Sequence, residues 1–232
     1  MIIVVLIGLC GLGLAGLHSW FYPIAAPMPA IVSEPMPEIL ARLDHIIQTN
    51  APHVSALLQP GLSAIEISRL EAKYQIQIPD EIRLIYQWHN GSCMTTNYPS
   101  KEFMPGARFL PLDEELEERR TNLTAKGSWM QRLAYRYLAG YRDPWICLFS
   151  DGSGVGYWFD PNRKPSEGSV FFNFNETGSY VFFPSAKNLM AGVAKCYEQG
   201  AFHVKAGSSP PQLDEDYSQS EKIWAEFGAA RE

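Results

Sequence analysis

"WICLFSDGSGVGYWFDPNRKPSEGSVFFNFNETGSYVFF", Trp145 to Phe183, holds four short runs rich in aromatic and β-branched residues: "WICLFS", "VGYWFDP", "SVFFNF" and "SYVFF". The separators "DGSG", "NRKPSEG" and "NETG" supply the Gly, Asn, Asp and Pro that turns require, so the stretch predicts a meander of strands. "DGSGVG", Asp151 to Gly156, has the glycines of a phosphate loop but no Lys-Ser/Thr after it. It also joins two strands, whereas a phosphate loop leads into a helix, and it lacks the second acidic ligand of a calcium loop. It reads as a hairpin turn.

Helical spacing returns on both sides of the meander. After it, "PSAKNLMAGVAKCYEQGAF" places Leu189, Met190, Val193, Cys196 and Tyr197 on one stripe, with Gly200 as the stop. Before it, Pro37 to Asn50 repeats Ile39, Leu40, Leu43, Ile46 and Ile47 at helical intervals. Ser63 and Glu66 stand at capping-box spacing at the start of "SAIEISRLEAKYQIQ". "IPDEIRLIYQWHNG" follows, with Pro79 in the first turn, Asp80 and Glu81 at the positive end of the dipole, and Asn90-Gly91 as a left-handed stop. Its stripe runs Ile82, Ile85, Tyr86, His89, and Trp88 lies four residues from Leu84, so packing accounts for both Trp88 and His89. Helices, a strand meander and a covering helix define an α+β fold: a single domain over residues 37–204, with an antiparallel or mixed sheet covered by helices.

The two ends read differently. Residues 1–22 open with "MIIVVLIGLCGLGLAGL", ~26 Å of apolar helix, followed by the aromatic trio Trp20, Phe21 and Tyr22. An uncleaved single-pass membrane anchor is expected there. A signal peptide would want a basic n-region, and the small-x-small site ending at Ala26 is followed by Pro27; a lipidated Cys10 would want a small residue where Leu9 stands. Residues 23–36 are rich in proline and read as a stiff extended linker. Residues 205–232 read as a second linker and a short amphipathic helix carrying Ile223, Trp224 and Phe227, expected to dock on the domain.

A formal charge of −6, from 25 acids against 19 Lys and Arg, argues against nucleic acid as a partner and favours a basic one. Cys93, Cys147 and Cys196 form no CxxC pair and have no His at ligand spacing, so they read as buried thiols; no cofactor or metal is called for. Asn90, Asn122 and Asn175 lie in glycosylation sequons, which matter only in a glycosylating compartment. "DEELEERR" packs Asp113, Glu114, Glu115, Glu117 and Glu118 behind Leu112, on what reads as the solvated face of a short helix. The same acids are the candidate site for a basic protein partner. Any chain this long offers a Ser-His-Asp trio, here Asp151, Ser153 and His89, and no strand-to-helix elbow presents the serine.

The run "LSAIEISRLEAKYQIQIPDEIRLIYQWHNG", then "GARFLPLDEELEE", "LFSDGSGVGYWFD" and "NETGSYVFFPSAKNLMAGVAKCYEQGAF", resembles the SUKH superfamily. That group contains the fungal Smi and Knr cell-wall regulators and many bacterial immunity proteins. The resemblance runs from about Leu62 to Phe202 and rests on the order of its pieces. It implies one α+β domain without catalytic residues that binds other proteins. It makes Pro79, Trp88, Asn90 and Gly91 a helix and its cap, Asp151 and Gly152 the hairpin, and Trp158 and Tyr180 sheet aromatics. The apolar N-terminus departs from a purely cytosolic immunity protein. The expectation is a membrane-tethered, non-catalytic module that neutralises a toxin, with a cell-wall scaffold and a small hydrolase as alternatives, and with neither nucleic acid nor a small-molecule substrate as ligand.

Overall fold

The computed structural model describes residues 28–93, 102–124, 145–174 and 178–228. The four runs of the opening stretch become β4 (Ile146–Ser150), β5 (Gly156–Phe159), β6 (Val170–Phe174) and β7 (Gly178–Phe183). With β3 (Arg108–Phe109) ahead of them they make a five-stranded sheet in the order β3-β4-β5-β6-β7. Every pairing is antiparallel. Ile146, Phe159, Val170 and Phe183 form one cross-strand row, and Phe149, Tyr157, Phe172 and Tyr180 another on the same face. The row between them, Cys147, Trp158, Phe171 and Val181, points the other way, as the two-residue period of a strand requires. It forms a second apolar cluster with Leu110 and Trp145. Burial on both faces is why these strands read as continuous apolar runs with no polar alternation.

The first face packs on helices. These are α1 (Met36–Asn50), the single turn α2 (Pro52–Ser55), α3 (Ala64–Tyr74), α4 (Asp80–Trp88), α5 (Leu112–Thr124), α6 (Ala186–Glu198) and α7 (Tyr217–Phe227). The capping box of Ser63 and Glu66 is formed at the start of α3. Pro79 is the N-cap of α4, which buries Ile82, Ile85 and Tyr86. Helix α6 lies between α1 and α7, and α7 docks through Ile223 and Trp224, the Trp224 ring 5.5 Å from Phe183. Two small antiparallel pairs complete the fold: β1 (Leu58–Pro60) with β2 (His89–Ser92), and β8 (Phe202–Val204) with β9 (Leu213–Glu215).

Several expectations need correction. Helix α4 does not end on Asn90-Gly91: it ends at Trp88, His89 is extended, and Asn90 and Gly91 belong to β2. Gly91 does have a positive φ of 73°, but its need for glycine is tertiary, since an added Cβ would lie 2.3 Å from the Pro111 nitrogen. The linker expected over residues 23–36 is docked on the domain from Met28 onward. Met28 packs on the second cluster, the Val32 amide donates to Asn188 Oδ1 (3.2 Å), and Glu34 pairs with Arg42 (2.8 Å). The N-terminal apolar helix expected at residues 1–22 falls outside the described residues, and among those described no helix is long and apolar enough to cross a membrane. Asn175 also lies outside them. Cys147 and Cys196 are buried thiols, and Cys93 is half-buried.

Candidate functional site

The sequence places the acidic run after "FLP", and Pro111 starts its helix. The Glu115 amide donates back to the Pro111 carbonyl (3.0 Å), closing the first turn. The Leu112 amide, one of the donors that a helix start leaves without an internal partner, donates to Asn90 Oδ1 (3.0 Å). Asn90 therefore caps the next helix, not its own. Asn90→Ala is expected to cost about 1 kcal/mol, read as a lower midpoint in urea, with Asn90→Asp close to wild type.

Helix α5 buries the stripe Leu112, Glu115, Leu116 and Arg119, at i, i+3, i+4 and i+7. This overturns the reading of all five acids as a solvated face. Glu115 is 1% exposed and accepts the Cys147 amide at 3.0 Å, so it ties α5 to the first strand of the meander. Burial pushes its carboxyl well above the usual range, the more so beside Glu118, while the Cys147 amide and Arg119 oppose the shift. The Cys147 thiol is raised well above its usual value for the same reason, with Glu115 adding to it.

The other four acids lie nearer the solvent. Glu114 pairs with Arg108 on β3. Glu117 pairs with Arg120 and accepts the Tyr74 hydroxyl (2.9 Å), which lowers its pKa. Asp113 and Glu118 are exposed. Glu118 stands at a cleft of about 60 Å³ between α5 and the β4–β5 hairpin. Arg108, Glu115, Cys147 and Trp158 line it, with the more exposed Gly152 and Gly154 at its lip. That volume is far below the roughly 300–1,000 Å³ of a small-ligand pocket and suits the tip of one side chain.

The lip is the hairpin read from "DGSGVG". The Asp151 amide donates to the Val155 carbonyl (3.0 Å), and Gly152 and Gly154 take φ of +87° and +100°. Ser153 turns its amide and hydroxyl onto the Asp151 carboxylate at 2.7 Å and 2.9 Å, a local turn motif. His89 is engaged elsewhere: Nδ1 donates to the Gln59 carbonyl (2.8 Å) and Nε2 lies 3.2 Å from Asp44 Oδ1. The trio Asp151, Ser153 and His89 does not assemble.

Trp88 is half-buried, its ring edge-on to His89 (4.5 Å) and Phe103 (6.1 Å). Its Nε1 is buried without a hydrogen-bond partner among the described residues. Trp88→Ala is expected to cost about 2 kcal/mol, less than the about 3–5 kcal/mol of a fully enclosed ring, and Trp88→Phe less still, because no hydrogen bond is lost. Thermal melts of the two variants check the order. Trp158 and Tyr180 are sheet aromatics on opposite faces, Trp158 2% exposed and lining the cleft, Tyr180 5.8 Å from Phe172.

The residues singled out in the sequence thus divide. The acidic helix, the Asp151-Gly152 hairpin and Trp158 meet at one cleft, with Asn90 and Gly91 fastening the start of the helix; Pro79 and Trp88 hold α4. The charged side chains that line this cleft of the α+β domain are Arg108, Glu115 and Glu118. The chain belongs to the SMI1/KNR4 family (SUKH-1), whose family model matches residues 61–191, more than half of the 232 residues. No curated protein matches it.

Proposed function

We propose that this protein is a non-catalytic binding module of the immunity type, which neutralises a toxin by occluding a basic surface with α5 and the β4–β5 hairpin. The observation that carries this reading is the exposure of Asp113 and Glu118 on α5, Glu118 at the cleft, on a chain with formal charge −6. Membership of the SMI1/KNR4 family supports protein binding in general. Toxins that act on nucleic acid present basic clefts, and an acidic surface meets such a cleft with favourable steering and like-for-opposite pairing. The test is co-expression with the polypeptide encoded next to this chain. Restored growth together with a purified complex is expected. No rescue and no complex would overturn the proposal.

Residues 1–22 act, in this reading, as an uncleaved anchor that keeps the domain at a membrane; their unbroken apolar run supports it. Alkaline carbonate extraction of full-length protein is expected to leave it with the membrane pellet. A regulatory scaffold in envelope or cell-wall assembly is the second reading, favoured by the same anchor and by the regulators in the family's name. Neighbouring cell-wall genes, with no toxin among them, would favour it.

A further inference from the structure

The segment read as a free linker is built into the domain. Asn188, fully buried in the first turn of α6, accepts the Val32 amide (3.2 Å) and donates from Nδ2 to the carbonyls of Ala30 (3.1 Å) and Phe227 (3.1 Å). The Ser185 hydroxyl donates to its Oδ1 (2.9 Å), so both ends of the amide are occupied. One side chain thus holds residues 30–32 and the end of α7 against the core. Ahead of them Met28 lies on the second sheet cluster beside Gly168, where an added Cβ would meet its Sδ at 3.2 Å. Gly168 belongs to the β5–β6 loop, residues 160–169.

The reach of the chain then becomes decisive. Fourteen residues, 23–36, would let the domain roam about 46–50 Å from an anchor, but the five residues 23–27 span at most about 17–18 Å. Two of those five are prolines, which narrow the range further. Ile31, on the strap itself, is 45% exposed, one of few large apolar side chains left so among the described residues.

Charge points the same way. The β5–β6 loop carries Asp160, Arg163, Lys164 and Glu167, which sum to zero, whereas α5 carries four acids besides the buried Glu115 against Arg119 and Arg120. The loop and the β4–β5 hairpin lie at opposite ends of β5, roughly 13 Å of strand apart. An anionic leaflet repels the acidic end and leaves the loop end indifferent.

We infer that the strap and the β5–β6 loop form a lipid-apposed face, which turns α5 and its exposed acids away from the bilayer toward an arriving partner. The inference rests on the anchor reading. Its test uses the full chain with Cys10→Ala and Cys93→Ala, carrying one fluorophore at Lys164→Cys or at Ser153→Cys, both exposed loop positions. The protein is placed in vesicles of phosphatidylcholine and phosphatidylglycerol containing a headgroup-linked quencher lipid. Quenching is expected to be several-fold stronger at position 164 than at 153. Equal or reversed quenching on protein that floats with the vesicles overturns the orientation and leaves the anchor standing. Failure to float overturns the anchor and this inference with it.

Discussion

Glu115→Lys is expected to lower stability by about 3–5 kcal/mol, whereas Glu115→Gln keeps the fold and matches or exceeds wild type. The carboxyl is 1% exposed and receives the Cys147 amide at 3.0 Å. A lysine there puts an ammonium in the buried place of an acceptor and leaves the Cys147 amide without its own partner. Glutamine keeps an acceptor for that amide and removes the cost of holding a charge out of water. In a domain of this size the Lys loss corresponds to a fall of about 10 °C or more in Tm, resolvable in one melt.

The pH dependence has a definite sign. The folded carboxyl of Glu115 is raised well above 4.5 by burial, so the folded state holds its proton to higher pH than the unfolded chain does. Its contribution is therefore fully present below about 4.5 and is lost as pH rises through the raised value. Glu66 and Glu117 are lowered by their hydrogen bonds to Ser63 and Arg120, and they work in the opposite sense, losing their contribution as pH falls. The difference between wild type and Glu115→Gln isolates the buried group. It should be smallest near pH 4 and grow in favour of Gln toward neutrality; a flat difference would mean that folding leaves the Glu115 pKa unshifted, and a difference that moves in favour of wild type would mean that it is lowered.

What could be read in advance depended on how local the cause was. The capping box of Ser63 and Glu66 lies within four residues, and it forms. The meander was legible because its turns and its β-prone runs are local too, and the antiparallel order follows from short connections. Asn90-Gly91 misled because the same dipeptide serves a left-handed helix stop and a close backbone approach, and the deciding contact, Pro111, is twenty residues on. Glu115 had a usable signal: a helix that buries Leu112 and Leu116 must also turn positions 115 and 119 inward. Five acids within six residues read as a solvated face only where that spacing is ignored. Asn188 had no local signal, because its partners are Ala30, Val32 and Phe227.

The same spacing decides how the proposed binding site must be probed. Reversing Glu114, Glu115, Glu117 and Glu118 together would unfold the domain through Glu115 and break the pairs to Arg108 and Arg120, so lost binding would mean nothing. Asp113→Lys with Glu118→Lys changes only exposed positions and shifts the local charge by four. Against a basic partner the double variant is expected to associate about 10- to 100-fold more slowly at low ionic strength, because steering by a charged surface is worth about that much. Near 1 M salt, where screening acts within about 3 Å, the gap to wild type should all but close. Dissociation should change less than association, since charges at the rim of an interface act chiefly on encounter. Stopped-flow mixing at two salt concentrations, with a melt to show that the variant is folded, separates the cases. If the folded variant associates at the wild-type rate at low salt, α5 is not the surface the partner meets.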